Sequence, residues 1–317
     1  MENYLFTMNK YIIGIDGGGT KTLGVLFDIH GQELKRVDND FSNFSMSEKE
    51  TKKHIEKTIN ELVNGLDEPR DLYIQMGIAG VSKLTDITSY EEELAQMFNA
   101  RVSLDSDALI ALYAVKRHRN VNVIIVIGGT GSVLMIGEDD NAQIIGGFGH
   151  LLGDEGSAYH LVISTFKMII DDRESGRPDK DLTLKILDKI KAKNDQEIKT
   201  FVYNENKNTI ANLSMFIAEC AQKNDKDAIY LLKKEGKYLA KQTINAYKKF
   251  KHKDNVIVAL RGGFLLKAPY VKDTLITELE KHIDNYQIDD NPAEPVIGAY
   301  YLGYVKLLKR WENDWYK

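Results

Sequence analysis

The apolar pattern opens at Tyr11-Ile12-Ile13-Gly14-Ile15-Asp16, a short β-branched run that reads as a buried strand. Gly17-Gly18-Gly19-Thr20 marks a turn, and Thr22–Asp28 returns as a second strand. His30-Gly31 turns again into Glu33–Val37, so three strands form a meander with glycine at its first corner. Ser47-Glu48-Lys49-Glu50 is a capping box, which predicts a helix reaching about Asn64 with Ile55, Ile59, Leu62 and Val63 on one face. Leu72–Ala79 then predicts a strand, Ser89–Phe98 a helix, Val102–Leu104 a short strand and Ala108–Arg117 a helix. The order is βββαβαβα.

The order then starts again. Val121–Ile127 is a very apolar strand, Gly128-Gly129-Thr130-Gly131 a glycine turn, Ser132–Gly137 a returning strand, and Gln143-Ile144-Ile145 follows after a further turn. From Ser157 to about Lys251 the pattern is mostly helical, with polar breaks at Asp171–Lys180 and Asn204–Asn208. Asn255–Leu260 predicts a strand, Gly262-Gly263 turns into another helix, and Asn291-Pro292 opens a last helix, Pro295–Lys309. This is an α/β chain with a duplicated βββαβαβα core. The expected domains are residues 1–118 and residues 119–291, the second with a helical insertion, while the last helix (about 292–310) packs back on the first. Two facing glycine turns in such a duplication suit a nucleotide cleft between the domains.

Composition changes this picture little. At 317 residues, with 43% hydrophobic and 28% charged positions, the chain is an ordinary globular protein large enough for two domains. A net charge of −5 argues against nucleic acid as the main partner. The basic run Lys248-Lys249-Phe250-Lys251-His252-Lys253 reads as the polar end of a helix. The lone Cys220 cannot form an internal disulfide or hold an iron–sulfur cluster by itself, and reads as a small buried residue. No stretch approaches the ~20 apolar residues a membrane helix needs, and Met1–Lys10 is short and polar, so the expected location is the cytoplasm.

The chemistry concentrates at the glycine turns. Successive backbone N–H groups at such a corner can point at phosphate oxygens, and a threonine hydroxyl adds a donor. Asp16-Gly17-Gly18-Gly19-Thr20-Lys21-Thr22 fits that use; it is neither a Walker A loop nor a dinucleotide fingerprint, since the spacing differs and a strand follows. Asp16, at the end of a buried strand, could hold the Mg2+ that accompanies a nucleotide. In Asp105-Ser106-Asp107-Ala108, a carboxylate at a helix start is either an N-cap or a general base, and spacing alone does not choose between the two aspartates. His150 reads as a loop-fixing hydrogen-bonder, because no second ligand lies at zinc spacing. Gly146-Gly147-Phe148-Gly149-His150-Leu151-Leu152-Gly153-Asp154-Glu155-Gly156-Ser157-Ala158-Tyr159 crowds glycines beside two acids and leads straight into an apolar helix.

Together these residues resemble the amino-sugar kinases of the BadF/BadG/BcrA/BcrD ATPase family, within the actin–hexokinase–Hsp70 superfamily. The resemblance runs from Ile12 to about Leu307. It implies two ribonuclease-H-like domains closing on a cleft, and an ATP-dependent kinase acting on an amino sugar, N-acetylglucosamine at its 6-hydroxyl before N-acetylmuramic acid or glucosamine. By that resemblance Gly17, Gly18, Gly19, Thr20 and Thr22 form the first phosphate loop and Thr130 and Gly131 belong to the second. Gly262 and Gly263 lie at the adenosine pocket, with Asp16 on Mg2+ and Asp107 as the catalytic base. Asn43, Phe148, Gly149 and Asp154 would contact the sugar. Phe148 stands where animal kinases carry tryptophan, and Ser106 where many relatives have asparagine. A homodimer is entertained, since dimers are common among such kinases. From another class, a BadF-type ATPase switch acting on a partner protein is carried as the alternative, although Cys220 does not match the iron–sulfur cysteines of the activators in that family. A sugar-sensing regulator would need a helix-turn-helix before the first loop, and ten residues precede Tyr11.

Overall fold

The computed structural model describes residues 9–67, 70–139, 141–291 and 293–315. Its first strands are β1 (Asn9–Gly17), β2 (Thr22–Asp28) and β3 (Glu33–Asn39), an antiparallel meander. Helix α1 (Glu48–Val63) begins where the capping box predicts, with Ser47 Oγ accepting the Glu50 N–H at 3.3 Å. Then come β4 (Arg70–Ile78), α2 (Ile87–Phe98), β5 (Arg101–Asp105) and α3 (Asp107–Lys116). β4 runs parallel beside β1, and β5 parallel beside β4, giving the sheet order β3-β2-β1-β4-β5.

The second half repeats this plan. β6 (Asn122–Gly128), β7 (Ser132–Glu138) and β8 (Asn141–Gly146) are followed by helices α4 (Ala158–Glu174), α5 (Asp181–Ile190), α6 (Asp195–Asn204), α7 (Lys207–Gln222) and α8 (Lys226–Tyr247). β9 (Val256–Arg261), α9 (Gly263–Lys267), α10 (Val271–Glu280), β10 (Tyr286–Asp289) and α11 (Pro295–Trp315) complete the chain. The sheet order β10-β9-β6-β7-β8 is the first sheet read from its other end, with β6 in the place of β1 and parallel β9 in the place of β4. β10 is a finding of the structure. Its four residues, Tyr-Gln-Ile-Asp, carry no apolar run and pair with β9 alone. Pro292, read as opening the last helix, lies outside the described residues, as do Met1–Met8.

The chain divides into two compact units. One contains the segment up to Asn120, residues 139–142 and the segment from Ala293 onward; the other contains Val121–Glu138 and residues 143–292. In the first unit successive side chains of a strand face opposite ways, and both faces are covered. Ile13, Ile15 and Leu26 pack with Ile55, Ile59 and Leu62 of α1 and Leu94 of α2, whereas Ile12, Val25 and Tyr73 pack with Val296 and Tyr300 of α11. α11 also lies on α3, where Ile110 and Tyr113 meet Ala299 and Leu302. In the second unit Ile124, Val126, Val258 and Leu260 share one core with Leu161, Leu239 and Leu275. Cys220 belongs to that core, and burial pushes its thiol up from the ordinary range.

The α3–α11 crossing tolerates no side chain at Gly298, where a Cβ would stand 1.8 Å from the Ile110 carbonyl oxygen and 2.5 Å from the Ala114 nitrogen. Gly298→Ala is therefore expected to lower unfolding stability by about 3 kcal/mol, because both obstacles are backbone and cannot swing aside. Urea unfolding of the two proteins measures it.

Candidate active site

In the first unit, the parallel strands β1, β4 and β5 end along one edge, and register places Asp16 beside Gly77 and Gly77 beside Asp105. Ligands of open α/β sheets bind outside such carboxyl ends. Beyond β1 the corner is tightly tied. Gly18 N–H donates to the Lys21 carbonyl at 3.1 Å, Ser42 N–H to the Gly18 carbonyl at 3.0 Å, and Ala79 N–H to the Gly17 carbonyl at 2.9 Å. A Cβ on Gly17 would come within 2.6 Å of Ile78 and 2.8 Å of Ser42, so this glycine permits a close approach of chains. Gly18 and Gly19 by contrast have open space, with no atom nearer than 3.7 Å to their Cβ positions, and Thr20 is exposed. Gly19 and Thr20 are free to meet a ligand, whereas the N–H and carbonyl of Gly18 are already held by Lys21 and Ser42.

Thr22 is not. Its side chain is fully buried, donates to the Asp40 carbonyl at 2.5 Å and shares a hydrogen bond with Ser42 Oγ at 2.6 Å. The expected phosphate donor is a strut that closes the corner from within.

Asn43 sits on the loop that follows, bridged to Ala79, with its Oδ1 accepting the Ser45 N–H at 2.8 Å. Its Nδ2 lies 3.9 Å from the Gly19 Cβ position, which places an amide donor beside the open corner. Gly80, with φ at +72°, makes this loop possible: a Cβ there would stand 2.4 Å from Ser45 Oγ and 2.8 Å from Asn43 Oδ1. Gly77 does the same for α3, since a Cβ would meet the Ile110 side chain at 2.4 Å. Neither glycine is distinguished by any pattern in the sequence.

The structure separates the two aspartates that spacing could not. Asp105 Oδ2 accepts from Lys306 Nζ at 2.6 Å and from Gln75 Nε2 at 2.8 Å, so its carboxylate anchors α11 to the sheet. Ser106 is the N-cap of α3, accepting the Leu109 N–H at 3.2 Å. Asp107 is exposed in the first turn and, among the described residues, accepts only the N–H of its neighbour Ala108, at 2.9 Å. Near it, Asp16 is half-buried, and burial first, then the Asp107 carboxylate, pushes it up to about 6; Lys21 opposes the shift and Glu294 adds to it. The Lys21 ammonium is engaged 2.9 Å from Asp38 and offsets the rise of Asp16 only in part. A desolvated carboxylate facing another carboxylate is a donor set that suits a divalent cation. Among the described residues no three His, Cys, Asp or Glu side chains gather to hold a metal.

In the second unit three corners meet backbone to backbone. Gly262, with φ at +95°, would put a Cβ 2.4 Å from the Gly128 carbonyl oxygen, and the Gly128 Cβ position lies 3.3 Å from the Gly156 carbonyl oxygen. Tyr159 N–H donates to the Thr130 carbonyl at 3.2 Å and Ala158 N–H to the Gly129 carbonyl at 2.9 Å. These corners frame a cavity of about 570 Å³. Gly129, Thr130 and Ala158 line one side of it, and Gly263, Phe264 and Pro269 another. The structure thus brings Thr130 and Gly263 together, while Gly262 is spent on packing. The remaining wall is one face of α7, with Ala211, Met215, Ala218 and Gln222 at spacings of four, three and four. Sequence reasoning passed over this helix, because small and apolar residues at helical spacing look like an ordinary core face.

The glycine-rich run divides into two parts. Gly146, Gly147 and Gly149 all have positive φ, and the loop they shape leaves Phe148 73% exposed and Leu151 and Leu152 more so. His150 packs edge-on against Tyr159 with ring centres 4.9 Å apart. Beyond Gly153 the chain is clamped. Asp154 is 6% exposed, takes φ of +67°, and accepts from Ser132 N–H at 3.2 Å and Lys207 Nζ at 2.7 Å. Each of its oxygens has one partner inside the protein, so a sugar hydroxyl would share the Asp154 carboxylate with Ser132 and Lys207. Gly131 follows from this: a Cβ there would press on the Asp154 carboxylate at 2.8 Å.

Two sheets of this topology, each with a glycine corner after its central strand, define the actin/hexokinase-type class. The chain belongs to the BadF/BadG/BcrA/BcrD ATPase family, whose profile matches residues 13–303. It is 26% identical over 311 residues to an N-acetyl-D-glucosamine kinase of Dictyostelium discoideum, covering 92% of this chain and 97% of that protein. It is 28% identical over 304 residues to an N-acetylmuramic acid/N-acetylglucosamine kinase of Clostridium acetobutylicum, again covering 92% and 97%. Among solved structures, a Chromobacterium violaceum protein designated a candidate N-acetylglucosamine kinase superposes with a TM-score of 0.62 at 22% identity, covering 93% of this chain and 99% of that one.

Proposed function

We propose that this chain is an ATP-dependent amino-sugar kinase that phosphorylates N-acetylglucosamine on its 6-hydroxyl. The observation that carries the reading is the division of work between neighbouring carboxylates: Asp105 is committed to Lys306 and Gln75, while Asp107 is exposed beside the raised Asp16. The sugar hydroxyl oxygen attacks the γ-phosphorus, its proton passes to Asp107, and the bond from that phosphorus to the bridging oxygen breaks to release ADP. Gly19, Thr20 and Thr130 are assigned to phosphates, with Gly18 and Gly129, whose N–H groups are held within the protein, allowing their close approach, and with the base of ATP in the 570 Å³ cavity. Asp16, with Asp107 near it, would hold Mg2+, which when bound supplies positive charge to the phosphates. Asn43 Nδ2 is assigned to a sugar hydroxyl, and the exposed Phe148 with the half-buried Gly149 to the sugar's ring face. The names of the two curated relatives support the amino sugar, and the Clostridium protein's name supports N-acetylmuramic acid as a second substrate.

The test is ADP release with magnesium-ATP and N-acetylglucosamine, N-acetylmuramic acid, glucosamine, N-acetylmannosamine, glucose or no sugar. Stimulation of at least ten-fold by one or two N-acetylated sugars, with product identified as the 6-phosphate by NMR, is the expected result. Equal release in every reaction, the blank included, would replace the kinase with an ATPase switch.

A further inference from the structure

We propose that Lys207 is a positioning residue that ties the wall of the nucleotide cavity to the second phosphate loop, an inference that rests on the nucleotide reading of that cavity. Lys207 is the first residue of α7, the helix whose Ala211, Met215, Ala218 and Gln222 line the cavity. Its ammonium lies 2.7 Å from Asp154 Oδ2, and the other oxygen of the same carboxylate accepts the Ser132 N–H at 3.2 Å. Ser132 directly follows Gly129-Thr130-Gly131. One charged side chain therefore connects the helix that would touch the base to the loop that would touch the phosphates.

Three features mark the connection as built. Asp154 is buried and holds a left-handed φ of +67°, a conformation that persists in a non-glycine residue only where its surroundings enforce it. Gly131 is the residue type that leaves room for the carboxylate, since any Cβ would stand 2.8 Å from it. The next two residues are fastened independently from α8: Gln242 Nε2 donates to the Glu155 carbonyl at 3.0 Å, and the wholly buried Glu235 accepts the Gly156 N–H at 2.8 Å. Loss of Lys207 thus leaves the segment anchored while freeing the α7-to-loop link. Lys207 cannot be removed silently, because the buried Asp154 carboxylate is then left without its cation.

The experiment compares wild type, Lys207→Met and Lys207→Arg by calorimetric titration with the non-hydrolysable ATP analogue AMP-PNP and Mg2+, and by KM for ATP. Lys207→Met is expected to weaken AMP-PNP binding and raise KM for ATP by ten-fold or more, and Lys207→Arg to restore nucleotide affinity to within three-fold. A folded Lys207→Met that binds AMP-PNP as wild type does overturns the coupling. If Lys207→Met does not fold, Asp154→Asn combined with Lys207→Met removes both charges; wild-type nucleotide affinity in that double variant also overturns it. Wild type that binds no AMP-PNP at all would sink the nucleotide reading itself, a failure distinguishable from the first.

Discussion

Asp107→Asn is expected to lower kcat by about 10²–10⁴, the range in which a positioned general base contributes to proton transfer, with KM for ATP and sugar changed less than three-fold. Asparagine keeps the shape of the side chain and can still turn its oxygen to the Ala108 N–H, and the N-cap of α3 belongs to Ser106, so the helix start survives the change. What the amide lacks is a lone pair basic enough to take a hydroxyl proton. Asp105→Asn makes the contrast. That change weakens the link to Lys306 and Gln75 and is expected to cost about 1–3 kcal/mol of stability, while kcat measured well below the melting temperature stays within a few-fold. Steady-state kinetics and urea unfolding of the two variants decide the matter. A large kcat loss in a stable Asp105→Asn beside a near-normal Asp107→Asn would transfer the base to Asp105.

Much of this arrangement is written in local pattern. The runs Tyr11–Asp16 and Val121–Ile127 are continuous and β-branched because their strands are central in each sheet and covered by neighbours, so the meanders and their glycine corners are legible. β10 is not legible, since an edge strand of four residues needs only one partner and no apolar run. Asp105 and Asp107 look alike in sequence, and the difference between them is set by Lys306, some two hundred residues away on α11. The partner of Asp154 is hidden for the same reason, since Lys207 reaches it from α7, 53 residues further along the chain. Gly77, Gly80 and Gly131 owe their identity to what would collide with a Cβ, namely Ile110, Ser45 and Asp154, all brought there by tertiary structure. Residues at chain corners were readable, and residues whose role is to leave space or to occupy another side chain were not.

Asp16→Asn separates stability from function in opposite directions. Burial and the Asp107 charge raise the Asp16 carboxyl to about 6 in the folded protein, against an ordinary ~3.9 when the chain is unfolded. The folded state therefore holds the proton more tightly, and the cost of ionising the buried acid is absent below pH ~4, grows as pH rises from ~4 to ~6, and is complete above that. Removing the acid removes the cost. In the absence of nucleotide and metal, Asp16→Asn is expected to be more stable than wild type by about 1–2 kcal/mol at pH 7.5, less than the full shift because the site is partly solvated, and equal to it near pH 4. Activity moves the other way: kcat/KM for magnesium-ATP falls by about 10²-fold or more, the loss expected when a charged group that positions the transferring phosphates is gone. In wild type the proton and the cation compete for one carboxylate, so apparent Mg2+ affinity, measured by calorimetry with AMP-PNP present, rises with pH through about 6 and levels off above 7. That pH dependence disappears in Asp16→Asn. A variant less stable than wild type at pH 7.5, or one with undiminished kcat/KM, would mean that Asp16 serves the fold of the β1 corner and leaves the phosphates to other groups.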